Sequence, residues 1–125
     1  MSRDPIPEEL RRFLLTSVTS VPFVEALLVF RERKGSPVQT EDVARLLYIP
    51  LRNAAGVVEE LERAGVVQRA EGEARRFEPT PELAGVVELL AAYYKSHLVE
   101  VTDLIHGKTG RQAQRFADAF KWRKD

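Results

Sequence analysis

The chain reads as mostly α-helical, with one small β-hairpin and a C-terminal helical extension. Apolar residues recur at three- and four-residue intervals over most of the 125 residues, and only around Val66 to Glu78 does that rhythm give way to short extended runs. Punctuation is the second observation. Gly35-Ser36-Pro37, Pro50, Gly65, Gly72 and Pro79-Thr80-Pro81 cut the chain into short segments joined by tight turns. A composition of 44% hydrophobic and 30% charged residues is enough for one domain to bury a core.

Each element has a local cause. From Pro7 to Val18, Leu10, Phe13, Leu14 and Val18 fall at helical spacing, and Glu8 and Glu9 stand in the first turn, where carboxylates suit the helix dipole. Ser20 is a good N-cap and Pro22 is tolerated in the first turn of the next helix, whose stripe is Phe23, Ala26, Leu27, Val29 and Phe30. Gly35 ends it. Thr40 is expected to cap a helix over Glu41 to Tyr48 that buries Val43, Leu46 and Leu47 before Pro50 halts it. Leu51 to Ala64 follows as a helix, with Ala54, Val57, Val58 and Leu61 inward and Gly65 as its stop.

Val66-Val67-Gln68-Arg69 and Arg75-Arg76-Phe77-Glu78 read as two strands joined by a turn at Glu71-Gly72-Glu73. Beyond Pro79, Thr80 and Pro81 open a helical stretch carrying Leu83, Val86, Val87, Leu90 and Tyr94, and its apolar face continues past Leu98, Val101, Leu104 and Ile105. One long helix or two fit that pattern equally, up to a break at Gly107 to Gly110. A last helix, Arg111 to Trp122, turns Ala113, Phe116, Ala117 and Phe120 to one side. The chain therefore divides into an N-terminal helix (1–19), a central unit (20–80) and a C-terminal helical element (81–125).

Several function classes find no support. There is no cysteine, hence neither a disulfide framework nor a thiolate metal site. The charged N-terminus and the absence of an apolar run of about 20 residues lead us to expect no signal peptide, no membrane span and a cytoplasmic location. No nucleophile pairs with a base, no Gly-rich loop offers a phosphate cradle, and no cofactor motif occurs, so catalysis is not expected. His97, Glu100, Asp103 and His106 recur every three residues. At about 100° per residue His97 and His106 end on opposite faces of a helix, so surface polarity is expected there rather than a metal site.

The order helix, helix, turn, helix, followed by "LERAGVVQRAEGEARRFEPT", resembles the winged helix-turn-helix regulators of the bacterial MarR kind. Glu41-Asp42-Val43-Ala44-Arg45-Leu46-Leu47 and Leu61-Glu62-Arg63-Ala64-Gly65-Val66-Val67 carry the resemblance, which spans about half the chain. It implies a transcriptional regulator that binds double-stranded DNA. The helix from Leu51 would enter the major groove with Arg52, Asn53 and Gly56, Arg45 would touch the backbone, and Arg75 and Arg76 would make hairpin contacts. The apolar and aromatic faces beyond the central unit lead us to expect a homodimer, since exposed faces of that length are rare on monomers, with Leu90, Tyr94, Leu98, Phe116, Phe120 and Trp122 as the interface candidates.

Charge argues the other way. The 19 Lys and Arg balance 19 Asp and Glu, whereas proteins that live on phosphate are usually basic. Glu59, Glu60, Glu71 and Glu73 stand on the helix and hairpin that would approach DNA. The alternative is a winged-helix module for protein contact, with little or no DNA binding.

Overall fold

A computed structural model describes residues 5–107. Among them, α1 (Glu8–Thr16), α2 (Val21–Glu32), α3 (Thr40–Leu47) and α4 (Leu51–Ala64) precede a hairpin of β1 (Val67–Arg69) and β2 (Arg75–Phe77), and α5 (Pro81–Tyr93) follows. A further helix, α6, runs over 98–107 after a turn at 94–97. The protein is mostly helical with a small two-stranded antiparallel sheet. Two helices, not one, occupy the stretch from Pro81 to the end of the described residues. The expected helix Arg111 to Trp122 lies outside them.

The helix boundaries follow from their end residues. Ser20 is extended and its hydroxyl accepts the Phe23 N–H at 3.3 Å, while Pro22 supplies a pre-set φ in the first turn. α3 starts one residue earlier than the sequence suggests. Thr40 is already helical, and the cap position falls on Gln39, whose N–H donates to the Asp42 carboxylate at 3.4 Å. Thr80 occupies the N-cap position of α5 without a side-chain capping hydrogen bond. Gly65 closes α4 in the left-handed conformation at φ 89°, a geometry that suits glycine because it lacks a Cβ.

The hairpin pairs Val67 with Phe77, Gln68 with Arg76 and Arg69 with Arg75. It gains a third member that sequence pattern does not reveal. The Val38 N–H donates to the Arg75 carbonyl at 2.7 Å and the Arg75 N–H to the Val38 carbonyl at 2.9 Å, so the loop after α2 forms a one-residue bridge to β2. A single paired residue has no alternation to read.

One continuous core collects side chains from Leu10 to Ile105. α2 packs on α3, α4 and β2, α1 packs on α5, and α4 continues into β1. Arg31 ties α2 to α5 through two hydrogen bonds to Glu88, at 3.0 and 2.6 Å. Two expectations are corrected here. Leu90 and Tyr94, placed at a subunit interface by the sequence reading, are buried within this chain's own core, because α5 turns that face onto the rest of the fold. Leu46 is 40% exposed instead of buried: α3 has only eight residues, and the stripe centred on buried Val43 leaves Leu46 at its edge.

No single helix among the described residues is long and apolar enough to cross a membrane. α1 and α2 reach that composition only as a pair bent by 118°. Their apolar faces are buried in the core.

Candidate functional site

The turn between α3 and α4 spans Tyr48, Ile49 and Pro50. Tyr48 adopts the left-handed conformation at φ 57° and ψ 43°, and the Ile49 N–H donates to the Ala44 carbonyl at 3.1 Å. Pro50 starts α4 at once, its carbonyl accepting the Ala54 N–H at 3.0 Å. So tight a connection leaves the first turn of α4 uncovered. Leu51, Arg52 and Asn53 are exposed there, while Ala54, Val57, Val58 and Leu61 form the buried face that anchors the helix.

Arg52 has no ion-pair partner among the described residues. Gly56, one turn further along, is exposed, and a Cβ at that position would meet nothing within 4 Å. Arg45 lies on α3 with its side chain 65% exposed, held by Asp42 at 2.8 Å. Arg76 is half-buried on β2, and strand alternation sends it to the opposite face from Arg75.

Arg75 is the residue that the structure removes from the expected set of outward contacts. It is 5% exposed. Its Nε donates to the Glu62 carboxylate at 2.6 Å and its Nη1 to the Glu73 carbonyl at 2.6 Å, so the guanidinium clamps β2 and the hairpin turn to α4. Glu62 also draws in Arg69 at 3.5 Å. The hydrogen bond from Arg75 is the main reason that the Glu62 carboxyl sits below the usual carboxylate range, with the charges of Arg75 and Arg69 adding to it. A sequence shows only that Glu62 and Arg75 are both present. That they meet depends on how the hairpin folds back on α4.

Sequence reasoning also missed Tyr48. The sequence pattern carries it as the last residue of the helix before Pro50, whereas α3 ends at Leu47 and leaves Tyr48 94% exposed. Leu46 and Leu51, close to it in the chain, are likewise large exposed apolar residues. The legible signal was a large aromatic two residues before a proline, where a helix has to stop. Glu59, Glu71 and Glu73 are exposed and Glu60 is half-buried.

A groove of about 330 Å³ lies between α2, the end of α3 and the 94–97 turn, with Leu46 and Tyr48 in its lining. The Tyr94 hydroxyl donates to Glu25 in it at 3.3 Å, and burial, reinforced by the Glu25 charge, pushes the phenol up to about 12. Comparison with known protein families, curated proteins and solved structures finds no match.

The remaining candidates are scattered. His97 is buried, against the expectation of a surface position: its Nδ1 lies 2.7 Å from the Ser96 hydroxyl and its ring packs 5.1 Å from that of Tyr93. The 94–97 turn, not a continuous helix, carries it inward. No group of three or more His, Asp or Glu side chains converges on a point among the described residues. Leu98 is 46% exposed. Phe116, Phe120 and Trp122 lie outside the described residues.

Proposed function

We propose that α2, α3, α4 and the hairpin constitute a winged helix-turn-helix, and that the chain is a DNA-binding transcriptional regulator working in the cytoplasm. The observation that carries this reading is the uncovered first turn of α4, where Arg52 and Asn53 stand exposed directly after a three-residue turn. α4 then docks in the major groove by its N-terminal end. Arg52 offers two parallel N–H donors to a guanine edge or a phosphate, Asn53 matches adenine in the same bidentate way, and Leu51 reaches a thymine methyl. Gly56 allows close approach of the backbone. Arg45 and Arg76 supply phosphate contacts, and the Tyr48 hydroxyl adds another. Arg75 takes no part in contact and holds the hairpin in place.

Pairing of two copies, which would set two α4 helices about one DNA turn apart, belongs to the same proposal. With Leu90 and Tyr94 used in the core, Leu98 and its neighbours on α6 are left to make that contact.

A second reading is favoured by one specific observation. Exposed Leu46, Tyr48 and Leu51, together with the exposed carboxylates Glu59, Glu71 and Glu73, suit a protein partner better than a polyanion. A mobility-shift titration on the DNA upstream of the chain's own operon, at two salt concentrations, separates the two. Binding at low salt is expected, with Arg52→Ala relaxing sequence preference and Arg76→Ala weakening all sequences alike. Absence of binding at low salt, where phosphate contacts are strongest, rejects DNA in favour of a protein partner.

A further inference from the structure

We propose that the basic, aromatic stretch 111–122 of this same chain seats in the groove between α1 and α6. That groove, of about 400 Å³, is walled by Pro5, Ile6 and Arg11 on one side and by Glu100, Asp103 and Leu104 on the other. Glu100 and Asp103 have no ion-pair partner among the described residues. Val99, one turn before Asp103 on α6, is 67% exposed, so the apolar strip continues past the groove. Two unpaired carboxylates beside an apolar slot suit an occupant that is amphipathic and cationic.

Charge and chain geometry identify that occupant. Residues 5–107 hold four more acidic than basic side chains. Residues 108–125 carry the opposite excess: Lys108, Arg111, Arg115, Lys121, Arg123 and Lys124 against Asp118 and Asp125. The described part of α6 ends at Gly107, three residues past Leu104, so the basic stretch is tethered close to the groove by a short length of chain.

Trp122 is the chain's single tryptophan and reports the seating directly. Acrylamide quenching of its fluorescence is measured in the full chain, in the double variant Glu100→Lys/Asp103→Lys, and in the control Glu59→Lys/Glu71→Lys, which changes net charge equally at a distant place. The parent and the control should shield Trp122. The groove variant should release it, lowering the seated-to-free ratio about five-fold, the equivalent of about 1 kcal/mol for two exposed ion pairs. Shielding should persist on dilution. Quenching of the parent as free as in a peptide of residues 108–125, an equal response in both variants, or shielding that disappears on dilution because the stretch sits on a second copy would each overturn the proposal.

Discussion

Tyr48 combines two unfavourable properties. A left-handed backbone costs a residue with a Cβ about 1–2 kcal/mol, and an aromatic ring 94% exposed recovers none of that by burial. Strain kept without a packing return is what a contact residue would show. Tyr48→Gly should therefore hold or raise stability in urea denaturation, by up to about 1 kcal/mol, while weakening DNA binding. A loss of stability would mean that the ring packs after all. Arg75 has the opposite character, a charge taken from solvent to serve the fold. Arg75→Met should destabilise by about 1–2 kcal/mol, the range for stripping a buried side chain of its hydrogen bonds. The pH dependence has a definite sign. Because Arg75 lowers the Glu62 pKa, folding favours the ionised carboxylate, and that contribution is complete above pH 4.5, the ordinary value, and is lost as pH falls through the lowered one. The urea midpoint of the parent should fall more steeply in that acid window than that of Arg75→Met.

The element that matters most is α4, buried along Ala54, Val57, Val58 and Leu61 and bare at its first turn. Its two glycines do different jobs, and replacing each by alanine should move stability in opposite directions. Gly56 has ordinary helical backbone and open space around it, so Gly56→Ala should stabilise by about 1 kcal/mol through helix propensity alone. If the backbone there approaches DNA closely, the same methyl should lower affinity. Gly65 holds φ at 89°, and a Cβ would meet the Thr80 Cγ2 at 3.0 Å, so Gly65→Ala should cost about 1–2 kcal/mol. Thermal melts of the two variants beside the parent test the contrast. The hairpin depends on α4 in turn, since the Glu62 clamp on Arg75 sets how β2 stands against it.

For the whole molecule, balanced charge limits how much phosphate the fold can neutralise. With Arg75 withdrawn, Arg45, Arg52 and Arg76 are the cations that the proposed docking uses, and the logarithm of affinity should fall with the logarithm of salt at a slope of about −3 per bound copy. A slope near zero, measured in a salt titration of the mobility shift, would point to a protein partner. Helix identity, the bounds of α4, the glycine stops and the inward stripes of α1 and α2 were legible in residue order, because spacing, caps and φ preferences act within a few residues. Arg52 and Asn53 in the first turn of α4, and Gly56 one turn on, were legible as exposed for the same reason. The sequence by itself determined those local features and the division of charge between the body and its C-terminal stretch. Only the tertiary structure decided that Arg75 turns inward to Glu62, that Val38 joins the hairpin, that α5 and α6 break at 94–97 and that Leu90 and Tyr94 belong to the core. Those outcomes rest on contacts between residues far apart in the chain, where the energy gained by burial and pairing outweighs any local preference.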